Sequence, residues 1–138
     1  MRMLFVCLGN ICRSPSAEAV ARARGLDCDS AGTAGWHVGK PPYGPMQEAA
    51  RARGYEMSDL RARQLKPRDF DAFDLIIVMD RDNLRDAEAL RPTGNETPVK
   101  LLTDYGRGGD VPDPYYTRDF DGALDLIEAC VAGLPAGN

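Results

Sequence analysis

The chain has 138 residues, 43% apolar and 28% charged, with a formal net charge of −4. That is enough chain to bury a core without disulfide or metal staples, and the composition excludes a disordered or fibrous protein. Charges of both signs are spread along it, which excludes a broad basic face for nucleic acid, so any anion site must be local. The cysteines Cys7, Cys12, Cys28 and Cys130 form no C-x-x-C pair, and His37 is the single histidine. Zinc-ligand spacing is therefore absent, and neither a metal nor a cofactor is expected. The first apolar run is too short for a signal peptide, and no stretch approaches the about 20 apolar residues that cross a bilayer. The expectation is a reduced, cytoplasmic monomer, one domain over residues 1–138, with neither a nucleic-acid nor a membrane partner.

Met3 to Cys7 is a continuous apolar run, as in a strand buried on both faces. Ser14-Pro15 reads as a cap and proline opening a helix that continues through Ala17 to Arg24 and stops at Gly25. Leu26 to Ala31 reads as a second strand. Gly35 to Pro45 is a Gly/Pro-rich loop holding the only tryptophan, Trp36. Met46 to Arg53 reads as a helix closed by Gly54. Leu75 to Met79 is the strongest strand signal, followed by a helix over Asp80 to Leu90. Pro98 to Leu102 is the fourth strand, Gly106 to Tyr116 a second loop, and Asp119 to Val131 an amphipathic helix. Strands alternating with helices predict an α/β fold, a parallel sheet covered on both faces. Ligands of such sheets sit beyond the carboxyl ends of the strands, where Cys7 and Asp80 fall.

The stretch Cys7-Leu-Gly-Asn-Ile-Cys-Arg-Ser14 fits an oxyanion. Successive N–H groups in a tight turn and a helix N-terminus supply converging donors. Gly9 is expected to take the backbone angles that other residues resist. Arg13 can grip two phosphate oxygens in a bidentate fork. The same positive field favours the thiolate of a cysteine at Cys7, the attacking form. A packed strand-end cysteine is the plainer account of Cys7 alone; the strand before it and the helix start after it favour the nucleophile. Phosphoryl transfer to sulfur also needs an acid for the departing oxygen. Asp113, between Pro112 and Pro114, is the candidate, with Tyr115 and Tyr116 as walls for an aromatic ring. A surface turn with exposed tyrosines fits those residues equally well.

Taken together, FVCLGNICRSP (5–15), SAGT (30–33), GW (35–36), RARQL (61–65), MDRDNLRD (79–86) and DPYY (113–116) resemble the low-molecular-weight protein tyrosine phosphatases. The resemblance spans nearly the whole chain. It implies a three-layer fold with a four-stranded parallel sheet flanked by helices, and no metal. It implies a cytoplasmic hydrolase, a protein phosphatase that dephosphorylates phosphotyrosine with a C-x5-R loop and a phosphocysteine on Cys7. Arg13 would bind phosphate with the loop residues Leu8, Gly9, Asn10, Ile11, Cys12 and Ser14. Asp113 would act as general acid and then base. Ser14 would bond the Cys7 sulfur, and Asn10 would support the loop through Ser14 and Ser30. Leu8, Trp36, Tyr115 and Tyr116 would line the ring slot. Cys12 would form a reversible disulfide with the nucleophile. The implied ligands are a phosphotyrosine-bearing protein or peptide and a phosphate or sulfate ion.

Two stretches depart from that pattern. Asp59 takes the place expected of a histidine that bonds the loop asparagine; it either accepts from Asn10 or caps a helix starting at Leu60. Tyr43-Gly44-Pro45 replaces an Asp-Pro-Arg and removes a charged pair from the rim. Three rival readings have less behind them. An arsenate reductase needs a pair of later cysteines on a mobile segment, and Cys28 and Cys130 lie far apart. A phosphoarginine phosphatase tends to have threonine where Ile11 stands. A non-catalytic phosphate-binding module would lack Cys7 or Asp113. Asp80 is expected to cap the helix after it, the resemblance leaving open that it also orients the active-site rim, and His37 to be a rim or surface residue. Cys28 and Cys130 are expected as packed thiols.

Overall fold

The structure, a computed structural model, describes residues 1–135. Four strands, β1 (Arg2–Cys7), β2 (Asp27–Gly32), β3 (Leu75–Val78) and β4 (Val99–Leu101), form one parallel sheet in the order β2-β1-β3-β4. The helices are α1 (Arg13–Ala23), α2 (Gly44–Arg51), α3 (Asp69–Ala72), α4 (Arg81–Glu88), α5 (Pro114–Thr117) and α6 (Phe120–Val131).

The side-chain alternation of β1 assigns the two faces. Met3, Phe5 and Cys7 pack with Ala17, Val20, Ile127 and Val131, so α1 and α6 cover one face. Leu4 and Val6 pack with Phe70, Phe73 and Ala87, so α3 and α4 cover the other. Both sides of β1 and β3 are buried, hence their unbroken apolar runs. A third cluster joins Met46 and Ala50 of α2 to Leu124 of α6, beneath Ile11 and Cys12. No helix among the described residues is long and apolar enough to cross a membrane.

Four expectations need correction. Helix α1 begins at Arg13 with Cys12 at the cap position, so Ser14 is not the cap and its hydroxyl is free for other work. The left-handed residue of the first loop is Asn10, at φ 58°, and not Gly9. Asp59 is exposed in a turn, with no helix starting at Leu60, and neither of the two roles considered for it is realised. The segment 106–116 is not all loop: Asp113 and Pro114 open α5, and a short 3-10 turn, Leu102–Tyr105, follows β4.

Candidate active site

The order β2-β1-β3 places the carboxyl ends of β1 and β3 side by side, with chain leaving β1 toward α1 and β3 toward α4. This is the topological switch point where parallel sheets receive ligands. The loop after Cys7 lies against the end of β2: Thr33 N–H donates to Cys7 O and Ala34 N–H to Leu8 O, both at 2.9 Å. Gly32 has to be small, since a Cβ there would stand 2.8 Å from Leu8 O.

A pocket at this rim is lined by Cys7, Leu8, Gly9, Ile11, Cys12, Arg13, Trp36, His37, Asp113, Tyr115 and Tyr116. Its inner end is buried, with Cys7 and Cys12 each 3% and Arg13 2% exposed, while Trp36 and Tyr116 stand out at its mouth. Asn10, Ser14 and Ser30 lie behind this wall. The Cys7 sulfur accepts the Asn10 N–H at 3.3 Å and lies 3.0 Å from Ser14 Oγ. Asn10 Nδ2 donates to Ser14 Oγ at 2.8 Å and to Ser30 Oγ at 3.0 Å, and Asn10 Oδ1 accepts the Arg63 N–H at 3.0 Å. The partner of the Asn10 carbonyl is therefore a backbone amide of the RARQL segment, and no side chain at position 59 is needed. Leu60, next along, packs on the Ile11–Cys12 cluster.

Arg13 is held closely at Nη1 and loosely at Nη2. Its Nη1 donates to Asp80 Oδ2 at 2.7 Å and to Val111 O at 2.9 Å; its Nη2 reaches Asp113 Oδ2 at 3.4 Å. Burial works against the guanidinium charge, but the Cys7 sulfur, the Asp80 bond and Asp113 outweigh it, and Arg13 stays more firmly protonated than usual. Asp113 caps α5 by accepting the Tyr115 N–H at 3.0 Å, which turns the two tyrosines toward the mouth. The Cys12 thiol is pushed up to about 12 by burial first, then by the neighbouring Cys7 and Asp113 charges. The Cys12 thiol is thus kept protonated at neutral pH.

Sequence reasoning placed Asp80 at a strand end and as a helix cap, and it accepts the Asn83 N–H at 2.7 Å. Its grip on Arg13, and that of the Val111 carbonyl, come from pairings 67 and 98 residues apart that no local pattern announces. His37 lines the pocket, and a Cβ on Gly9 would come to 3.0 Å of its ring. The Tyr43 substitution builds its own brace: Tyr43 Oη accepts from Arg118 Nη1 at 2.9 Å, and the Tyr43 ring packs 5.1 Å from that of Tyr115. The Arg118 guanidinium lies over the rings of Tyr43 and Phe120. Cys28 and Cys130 are buried thiols away from the pocket.

A strand-end thiol beside an amide donor and a hydroxyl, a fork of guanidinium and a carboxyl across a slot with aromatic walls can together bind a tetrahedral oxyanion and attack it. Known proteins similar to this chain are numerous. The family model for low molecular weight phosphotyrosine protein phosphatase matches residues 2–136. The chain is 44% identical to the low molecular weight protein-tyrosine-phosphatase YfkJ of Bacillus subtilis, over 91% of this chain and 88% of that protein. It is 46% identical to the low molecular weight protein-tyrosine-phosphatase of Streptomyces coelicolor, over 98% of this chain and 92% of the other. The crystal structure of YfkJ superposes with a TM-score of 0.90 at 42% identity, covering 96% and 91% of the two chains. Vibrio vulnificus Wzb in complex with benzylphosphonate superposes at 0.87 with 28% identity, covering 95% and 94%. The chain belongs to the low molecular weight phosphotyrosine protein phosphatase family and is an enzyme of that class.

Proposed function

We propose that the enzyme hydrolyses phosphotyrosine in proteins or peptides, and aryl phosphates, through a phosphocysteine on Cys7. The observation that carries this reading is the setting of the Cys7 sulfur: it lines a pocket shared with Arg13 and Asp113, and it is met by the Ser14 hydroxyl and the Asn10 N–H. Asp80 and Val111 O hold Arg13 Nη1, while Nη2 makes only the long 3.4 Å contact with Asp113, so the Nε and Nη2 edge can turn to two phosphate oxygens. The N–H groups from Leu8 to Ser14 complete the cradle, those of Arg13 and Ser14 lying in the first turn of α1, where no intrahelical acceptor exists. A phosphate or sulfate ion would occupy the same place.

In the first step the Cys7 thiolate attacks phosphorus in line, the bond to the tyrosyl oxygen breaks, and Asp113 gives that oxygen a proton. Arg13 and the loop amides hold the charge of the three equatorial oxygens. In the second step Asp113 takes a proton from water, the water oxygen bonds phosphorus, and the thiolate departs against the Ser14 hydroxyl. Leu8, Trp36, Tyr115 and Tyr116 give the phenyl ring a slot deep enough to bring its phosphate to the sulfur. The benzylphosphonate bound by Wzb, a phosphonate carried on a benzyl ring, is of the shape such a slot would take. Cys12, in the same pocket, would close a disulfide on an oxidised Cys7 and protect it from further oxidation.

The deciding experiment is Cys7→Ser assayed on p-nitrophenyl phosphate beside oxyanion binding. Turnover is expected to vanish while vanadate or phosphate still binds. Hydrolysis near the wild-type rate would rule out the covalent route.

A further inference from the structure

The Cys7 sulfur is one end of a buried chain of polar groups whose other end is a carboxylate. From the sulfur it runs through Ser14 Oγ, Asn10 Nδ2 and Ser30 Oγ, and Ser30 Oγ donates to Glu18 Oε1 at 2.6 Å. Glu18 sits on α1 and is 1% exposed. Arg22, one turn on, brings Nη2 to 2.5 Å from the other carboxylate oxygen.

The proton directions in this chain follow from valence. Asn10 Oδ1 is taken by the Arg63 N–H, so both amide protons of Asn10 face the serines. Each serine oxygen accepts one of them and has a single hydroxyl proton left to place. That of Ser30 goes to Glu18. That of Ser14 has the Cys7 sulfur at 3.0 Å and Ala31 O at 3.4 Å. A carboxylate is costly to bury, and burial pushes the Glu18 pKa up, with the Ser30 bond and Arg22 opposing it. An apolar side chain would pack at such a site on α1 without that cost.

We infer that Glu18 is a positioning residue for the covalent chemistry: by anchoring the Ser30 hydroxyl it holds Asn10 in its left-handed conformation and keeps the Ser14 O–H on the Cys7 sulfur. This rests on the reading of Cys7 as nucleophile. The step it serves is the second one. There the water oxygen bonds phosphorus, the water proton goes to Asp113, and the P–S bond breaks with its electron pair on sulfur. The Ser14 O–H meets that sulfur as it turns anionic. In the first step the sulfur gives up its charge, and the same bond offers the transition state nothing beyond the ground state. Loss of the anchor therefore slows phosphocysteine hydrolysis and spares its formation.

The test is rapid-quench kinetics of the full chain with labelled p-nitrophenyl phosphate, reading the burst of phosphoenzyme and the steady rate separately. Glu18→Met is expected to lower the steady rate about tenfold with the burst rate within about twofold of wild type. Glu18→Gln, whose amide oxygen accepts the same Ser30 bond, is expected to recover most of that loss. In a Ser30→Ala background, Glu18→Met should change nothing further, and Ser30→Ala alone, expected to lower the steady rate with the burst spared, decides the matter if Glu18→Met does not fold. Equal slowing of burst and steady rate, a Gln variant as slow as Met, or an added loss on top of Ser30→Ala would each overturn the role of Glu18. A wild-type enzyme that yields no trapped phosphoenzyme would instead remove the nucleophile reading, and this inference with it.

Discussion

Arg13 Nη1 and the Asn83 N–H share one carboxylate, that of Asp80: each bond is 2.7 Å, one to each oxygen. A single residue at the end of β3 thus aims the guanidinium rising from the β1 loop and starts α4. Asp80→Ala is expected to remove both. The lost cap and the buried guanidinium left short of a partner should cost about 1–3 kcal/mol of stability. The loosened guanidinium should cost about tenfold to a hundredfold in kcat/KM on an aryl phosphate. Asp80→Asn keeps an oxygen for the cap and should recover stability more than activity. Urea melts beside kinetics check this; an Asp80→Ala enzyme with unchanged kcat/KM would show that Arg13 needs no such hold.

Asn10 carries the loop through two separable properties, its φ of 58° and its three side-chain bonds. Asn10→Ala loses the bonds and adds left-handed strain; Asn10→Gly loses the bonds but relieves the strain. Both should lose at least about tenfold in activity, and Ala should be the less stable of the two by about 1 kcal/mol. Thermal melts of the pair read the strain directly, and equal stabilities would mean the loop relaxes out of that conformation when its bonds are gone.

The long apolar runs made β1 and β3 legible, because strands buried on both faces have no polar alternation to confuse them. The apolar stripe of α6 was equally plain, while the start of α2 at Gly44 and Pro45 was hidden in the Gly/Pro-rich loop. What escaped was short or non-local. The four residues of α5 are held by the Asp113 cap and Pro114, and the same residues read as an ordinary turn when taken alone. Ser14 before Pro15 looked like a cap, but the preceding loop supplies the start of α1 and turns that hydroxyl to the sulfur. Gly9 was the residue expected at positive φ, yet asparagine takes it, because its side chain bonds across the loop. Its carbonyl partner lies 53 residues away on a backbone amide, which has no residue type to recognise. The main chain of Arg63 makes the Asn10 contact that one of the two readings of Asp59 would have supplied.

Asp113 should reveal itself through the leaving group. Asp113→Asn keeps an acceptor for the Tyr115 N–H, so α5 and the tyrosines should stay in place. On the proposed mechanism it removes the proton donor, so phosphotyrosine should slow by about a hundredfold to ten-thousandfold, while substrates with very acidic phenols slow far less. A plot of log kcat/KM against leaving-group pKa should steepen in the variant. Parallel plots would mean that the proton comes from elsewhere.

The buried thiols predict how the fold fails in alkali. Cys12 and Cys28 are each pushed up to about 12, in both cases chiefly by burial. An unfolded chain releases these protons near 9, so above that pH the unfolded state binds fewer protons than the folded one. Their contribution is whole below pH 9 and drains away between 9 and about 12, at up to about 1.4 kcal/mol per pH unit for each thiol. Cys12→Ser and Cys28→Ala each remove one such group, and the double variant should lose stability more gently above pH 9 even where it starts less stable at neutral pH. Urea midpoints taken from pH 8 to 10.5 measure the slope. A double variant as steep as the wild type would assign the alkaline weakness to other groups, such as Tyr105, whose phenol burial also pushes up.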